Sequence, residues 1–297
     1  MQFLAYILIY PFLWLISILP FRLLYAFSDV IYVLIYHIVG YRKKTVKENL
    51  KLAFPDKSEQ EIKQITKKFY HHLCDMIFES IKSLTISEKE IKKRFVISNL
   101  EAVYKLEKDQ KSIVLMCGHY ASWEWIFVLQ TFISHKGYAI YKRLANKYFD
   151  ALVKRIRAKY NSYLITTKES IPTLIEAKKR GELTMNGFAS DQSPKAEKAF
   201  YWRDFMGITV PVHTGAEMLA KRLDMAVVYL GVEKVKRGYY HATLETITDN
   251  ALAYKDYEIT DVFFEMLEKQ IYNAPEYYLW THKRFKHRDK VPAEHKK

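Results

Sequence analysis

Hydrophobic positions fall into two regimes along this chain. From Gln2 to Tyr41 there is almost no polar phase, and Arg22 and Asp29 are the only formally charged side chains. Residues 3–19 are nearly all apolar and would reach roughly 25 Å as a helix at about 1.5 Å per residue. A second apolar stretch, 23–39, follows the break at Pro20-Phe21-Arg22. Beyond it the pattern becomes periodic. Ile62, Ile65, Phe69, Leu73, Ile77 and Ile81 recur at helical spacing, so 45–92 reads as helical. Pro55-Asp56 interrupts this region, and Ser58 with Glu61 has the form of a capping box. After Phe95 short apolar runs alternate with helical patterns. Strands are expected at 112–117, 138–141, 183–189, 226–231 and 239–246. Helices are expected at 123–132, 148–160, 171–179, 214–222 and 257–272. The alternation predicts an α/β fold, a layered mixed sheet flanked by helices.

The two regimes suggest an anchor over 1–40 and one domain over 41–297. Tyr and Trp scattered along the apolar stretches suit membrane interfaces. No Lys or Arg precedes the first run and no small-residue cleavage site follows it, which disfavours a cleaved signal peptide. A buried helical hairpin is the alternative. Arg42, Lys43 and Lys44 follow directly, and the positive-inside bias then places the rest of the chain in the cytoplasm. A formal net charge of +14 points to an anionic partner without choosing among nucleic acid, membrane surface, phosphorylated lipid or acidic carrier protein. Cys74 and Cys117 show neither metal-ligand spacing nor a disulfide framework, so no metal is expected.

The segment MCGHYASWEW, residues 116–125, follows a predicted buried strand. Gly118 permits a tight turn there, and strand ends are where α/β folds place reactive groups. His119 sits on the turn, and Glu124 on a following helix would be able to reach it. Such a pair fixes the imidazole tautomer and supports the imidazolium formed when a hydroxyl loses its proton. His-x4-Glu alone also suits a structural histidine. Cys117 allows a Cys/His nucleophilic pair or, as the last residue of an apolar run, a buried structural cysteine.

That segment resembles the first motif of the lysophospholipid acyltransferase superfamily, His-x4-Asp or His-x4-Glu. The whole chain is similar to one branch of it, the late (lauroyl/myristoyl) acyltransferases of lipid A biosynthesis. Asn49-Leu50 and Ala53-Phe54-Pro55 match early blocks, with Ala121 and Ser122 standing where the branch has Gly-Asn. Tyr141-Lys142-Arg143-Leu144 opens the second block; Asp191-Gln192, Phe205-Met206-Gly207 and Thr214-Gly215-Ala216 follow. Pro275-Glu276 and Leu279-Trp280-Thr281-His282-Lys283-Arg284-Phe285-Lys286 close it.

The resemblance implies a glycerol-phosphate-acyltransferase-like fold and a membrane-bound O-acyltransferase on the cytoplasmic side of the inner membrane. It implies an acyl donor (acyl carrier protein or acyl-CoA), a lipid acceptor, no cofactor and no nucleic acid. His119 and Glu124 are the implied catalytic residues, and late acylation of a lipid A precursor the implied reaction. Another glycolipid or an amino-acid lipid is the alternative acceptor. Thioester transfer needs a stabilised oxyanion. Arg157, Arg143, Lys142 and Arg155 are cationic candidates for that role or for phosphate binding, Arg157 first by its match to the second block. Each can equally be part of a solvated basic face. Asp191 either faces the site from another strand end or caps a turn. His213 suits a helix start or chemistry, and Phe200-Tyr201-Trp202 with Phe205-Met206 an acyl-chain wall or ordinary core. The tail 282–297 holds seven Lys/Arg against two Asp/Glu and would suit an anionic bilayer, as would Tyr277, Tyr278 and Trp280 before it. The alternative is a solvated, partly disordered tail from Lys290 onward. Among other classes, a basic membrane- or nucleic-acid-binding protein without catalysis explains the charge but not the ordered motifs. A serine lipid hydrolase lacks its Gly-x-Ser-x-Gly elbow.

Overall fold

A computed structural model describes residues 2–293. It begins with five helices: α1 (Gln2–Ile18), α2 (Phe21–Val33), α3 (Lys43–Ala53), α4 (Glu59–Lys82) and α5 (Glu88–Arg94). Helix α2 runs on as a π-helical segment, Leu34–Val39, that ends at Gly40 with φ of +64°. The α/β part follows as β1 (Phe95–Ser98), α6 (Leu100–Lys108), β2 (Ile113–Cys117), β3 (Lys136–Tyr141), α7 (Lys147–Arg157), β4 (Tyr163–Thr166), α8 (Thr167–Lys179) and β5 (Thr184–Ala189). It is completed by β6 (Tyr201–Phe205), β7 (Ile208–Val212), α9 (Gly215–Leu223), β8 (Ala226–Lys236), β9 (Tyr239–Thr248) and α10 (Glu258–Asn273).

Seven strands form one sheet in the order β1-β9-β8-β2-β5-β3-β4, parallel at every pairing except the β8–β9 hairpin. Strand β2 is at its centre and is buried along its whole length. Both faces are covered, which is why its sequence reads as an uninterrupted apolar run. The expected layered α/β architecture is therefore observed. Ser58 caps α4 through the predicted box: the Glu61 amide donates to Ser58 Oγ and the Ser58 amide to Glu61 Oε2.

Three local readings change. The helix expected at 123–132 is a 3-10 helix, Trp125–Thr131. Its period of three suits the burial: Trp125 and Val128 form one row in the core, while Phe127 and Gln130 form another that faces a cavity. The aromatic segment at 200–206 is part of a separate two-stranded hairpin, β6–β7, turned by Met206 and Gly207 with φ of +53° and +78°. Tyr201 stacks on Tyr257 at 4.3 Å, Phe200 is exposed, Trp202 and Phe205 are core, and none of them lines the cavity that holds His119. The end of the chain packs partly inward: Tyr278, Trp280, Arg284 and Phe285 are all buried, while Lys283, Lys286, Arg288 and Lys290 stay exposed. Residues 294–297 of the predicted basic tail lie outside the described residues.

The two N-terminal helices dock on the rest of the chain. Helix α1 stacks Tyr6 against Tyr148 of α7, and Lys82 of α4 donates to the backbone oxygens of Ser17 and Leu19. Helix α2 lies along α4, with Ser28 donating to Asp75 and Tyr25 to Glu79. Arg237, at the tip of the β8–β9 hairpin, binds Asp29 and Asp75 together. Their other faces expose a long series of Leu, Ile, Phe and Val side chains. The segment Phe21–Val39 is long and apolar enough to cross a membrane.

Candidate active site

The turn after β2 carries His119 at the carboxyl end of the central strand. Gly118 is favoured there by crowding rather than by its own φ, because a Cβ would lie 2.5 Å from Cδ1 of Leu267 in α10, which would have to move. The left-handed residue in this loop is Ala121, with φ of +50°. The C-terminal segment braces the loop as a short added strand. The Ala121 amide donates to the Tyr277 carbonyl and the Leu279 amide to the His119 carbonyl. The Tyr120 hydroxyl donates to the Gln270 and Ala274 carbonyls. Asn49 of α3 in turn donates to the carbonyls of Trp280 and His282. Sequence blocks more than two hundred residues apart are thereby stitched around one turn.

His119 Nδ1 lies 2.6 Å from Asp191 Oδ1. This corrects the expectation that Glu124 orients the imidazole. Asp191 follows β5, the strand beside β2, and so emerges next to His119. Glu124 is turned away to Arg157, which donates to it from Nη2 at 2.6 Å and from Nε at 3.1 Å. A fork of this kind fixes both partners. With Nδ1–H donating to Asp191, Nε2 keeps its lone pair and faces the cavity, where the Gln192 amide is 3.4 Å away. The Trp123 ring meets the imidazole edge-on at 5.3 Å.

Burial disfavours a charged His119, but the charge and hydrogen bond of Asp191 outweigh it, and Glu124 adds to them. The imidazole pKa is held above the ordinary histidine value. Burial would likewise raise Asp191, yet His119 keeps it below the usual carboxylate range. Cys117 donates weakly to the Phe188 carbonyl, and burial pushes its thiol up to about 12. That is the state of a structural thiol, not of a nucleophile at neutral pH.

The segment holding Asp191 is itself fixed. The Ser193 amide donates to His282 Nε2, and the Ser193 hydroxyl to the Arg284 carbonyl. Burial pushes the His282 imidazole down to about 4, so it is present as the neutral acceptor this bond needs. Arg284 donates to Ser193 Oγ and the Pro211 carbonyl while lying over the Phe205 ring. These supporting residues stood in recognisable sequence blocks, but nothing local marked them as props for Asp191.

The remaining cationic candidates separate. Arg157 and Lys142 line the cavity together with His119 and His213. Arg143 is exposed and bound to Glu169. Arg155 points to Tyr10 of α1. Two residues along a helix are about 200° around it, so Arg155 and Arg157 cannot face the same side. The cavity itself, about 570 Å³, runs from His119 under the 3-10 helix along the sheet, between mainly apolar walls. Among the described residues no cluster of His, Cys, Asp or Glu is arranged to hold a metal.

A family model described as bacterial lipid A biosynthesis acyltransferase matches residues 1–287. The chain belongs to this family. The lipid A biosynthesis lauroyltransferase of Escherichia coli (strain K12) is 24% identical over 285 residues, 95% of this chain and 92% of that protein. The lipid A biosynthesis palmitoleoyltransferase of the same organism is 24% identical over 278 residues, 93% of this chain and 89% of that protein. A lipid A biosynthesis acyltransferase of Haemophilus influenzae is 24% identical over 275 residues, 91% and 83% of the two chains. The protein is thus an acyltransferase of the lipid A biosynthesis family, as its motifs implied.

Proposed function

We propose that this acyltransferase moves a fatty acyl chain from an acyl thioester onto a hydroxyl of a lipid A precursor, at the cytoplasmic face of the inner membrane. The observation that carries the reading is His119, its Nδ1 held by Asp191 and its Nε2 open to an apolar cavity. The acceptor hydroxyl takes the place of the Gln192 amide and gives its proton to Nε2. The resulting oxygen attacks the thioester carbonyl. Asp191 orients the ring and stabilises the imidazolium. The oxyanion forms beside Arg157, whose Nη1 is left over from the Glu124 fork. Glu124 then serves by aiming Arg157. The tetrahedral intermediate collapses, His119 returns the proton to the leaving thiolate, and no acyl-enzyme forms. The apolar cavity receives the acyl chain. The exposed apolar faces of α1 and α2 hold the protein at the bilayer, with acyl carrier protein or acyl-CoA arriving from the cytoplasm.

The test is incubation of the purified full-length protein with radiolabelled acyl thioester and tetra-acylated lipid A precursor. Label is expected on the precursor. Release of free fatty acid alone, or no turnover with either donor, would refute the reading. Lipid profiling of a deletion strain then names the acceptor: the species short of one acyl chain.

A further inference from the structure

The cavity floor is built in levels. Strand β2 presents Leu115 and Cys117 to it, as the pleat requires. The adjacent parallel strands β5 and β3 add a row from each, with Tyr138, Ile140 and Phe188 also reaching the lining. At the top, nearest His119, Cys117 pairs with Ala189. In the middle, Leu115, Gly187 and Ala139 stand side by side. At the bottom, Gly137 pairs with Met185. The middle and top levels are kept open by small side chains on β5, where Gly187 and Ala189 leave room above the sheet. The bottom level is different. Met185 is long and almost fully buried, and Gln130 descends onto Gly137 from the 3-10 helix above.

Gln130 is pinned there. Its Nε2 donates to the buried His135 carbonyl at 2.6 Å. Its Oε1 lies so close over Gly137 that a Cβ on that residue would be 1.9 Å from it and 3.5 Å from Ser162 Oγ. The apolar channel therefore ends on polar atoms, the Gln130 amide and the Ser162 hydroxyl, which a longer hydrocarbon would strip of solvent without pairing.

We infer that Gln130, resting on Gly137 and flanked by Met185, sets the greatest length of acyl chain the enzyme accepts. This rests on the acyl-transfer reading of the cavity. Four strand residues separate the top level from the bottom, about 13 Å at roughly 3.3 Å per residue. A zigzag of C–C bonds of about 1.5 Å advances roughly 1.3 Å per carbon, so this span takes about ten carbons. The carbons between Cys117 and the reacting carbonyl at His119 add to this count, so the limit lies a few carbons beyond about ten and short of palmitoyl.

The experiment compares decanoyl, lauroyl, myristoyl and palmitoyl thioesters as donors to full-length wild type and variants, each normalised to its own decanoyl rate. Wild type is expected to fall off at palmitoyl. Gly137→Ala pushes the Gln130 head into the channel and is expected to cut the myristoyl-to-decanoyl ratio by about tenfold or more. Gln130→Ala removes the stop and is expected to raise the palmitoyl-to-decanoyl ratio by a similar factor. The double variant is expected to return toward wild type, because the added methyl then meets no amide. Gln130→Ala forces no neighbour to move, so it decides the matter even if Gly137→Ala does not fold. Chain-length ratios unchanged in Gln130→Ala would overturn the length limit while leaving acyl transfer intact. No transfer of any donor by wild type would remove both readings.

Discussion

Asp75 and Asp191 are both buried carboxylates beside a basic partner, and they differ in what lies beyond that partner. Around Asp75 the partners are spent mainly on one another, although His71 and Lys234 also border a second cavity. Arg237 donates to it from Nε and Nη2, Ser28 adds its hydroxyl, and Lys234 stands 3.5 Å away. Arg237 spends its other donors on Asp29 and the Tyr25 carbonyl. Around Asp191 the chain of contacts stays open. His119 takes its proton-bearing nitrogen to Asp191 and turns its second nitrogen to a cavity. A closed cluster fixes helices, whereas an open one leaves a group free to exchange a proton with something else. Residue type and burial do not distinguish them; the imidazole nitrogen at the cavity, which meets only the Gln192 amide, does.

Removing that nitrogen should have the largest effect. His119→Ala is expected to lower kcat by ~10²–10⁴-fold, the range typical of general-base loss, in protein that still folds. Retention of most activity would end the proposed chemistry. Asp191→Asn should be less severe and should carry a pH signature. The proposed base must be neutral, and Asp191 holds its pKa above the ordinary histidine value. Activity should therefore fall as pH drops through that raised value. Loss of the Asp191 charge lowers the pKa, so the acidic limb should move to lower pH while the plateau falls by roughly tenfold or more. A limb that stays in place would leave Asp191 a purely structural neighbour.

At the closed cluster the same kind of change should act on stability instead. Asp75→Asn leaves Lys234 and Arg237 short of their central anion, a change typically costing about 3 kcal/mol. Thermal unfolding in detergent would show the loss, with kcat per folded molecule near that of wild type. Deleting residues 1–40 removes Ser28 and Asp29 from this cluster, so the truncated protein should lose stability as well as its membrane attachment. A truncated form as stable as the full chain would show α1 and α2 to be a separable anchor.

The sheet was legible because burial writes itself into composition. Residues 112–117 and 226–231 are covered on both faces and read as apolar runs. The hairpin β6–β7 was harder, since Trp202 and Phe205 face inward between polar neighbours and resemble any aromatic cluster. At the site, Gly118-His119 was visible from its place after a buried strand. The partner of His119 was not. Sequence spacing favours a contact five residues away, but strand adjacency in a parallel sheet brings Asp191 closer, and adjacency is a property of the fold. The same spacing points Glu124 at the imidazole, whereas its partner in the fold, Arg157, lies thirty-three residues downstream.

The smallest expected effect comes from two arginines on one helix. Arg157 and Arg155 are near neighbours in sequence with the same charge, and either matches a basic-face reading. Arg157 lines the cavity and is locked to Glu124, so Arg157→Ala should lower kcat or raise KM by about tenfold. Because the two act as a unit, Glu124→Gln should give a similar loss, and the double variant little more. Arg155 lies on the opposite side of α7 and meets only the Tyr10 hydroxyl and ring among the described contacts. An exposed contact of that kind contributes at most about 1 kcal/mol to stability and nothing to the reacting atoms. Arg155→Ala should therefore keep both kinetic constants within about twofold of wild type. Equal losses in Arg155→Ala and Arg157→Ala would mean that the whole basic face of α7 meets an anionic partner, and that the direction of each side chain is not what separates them.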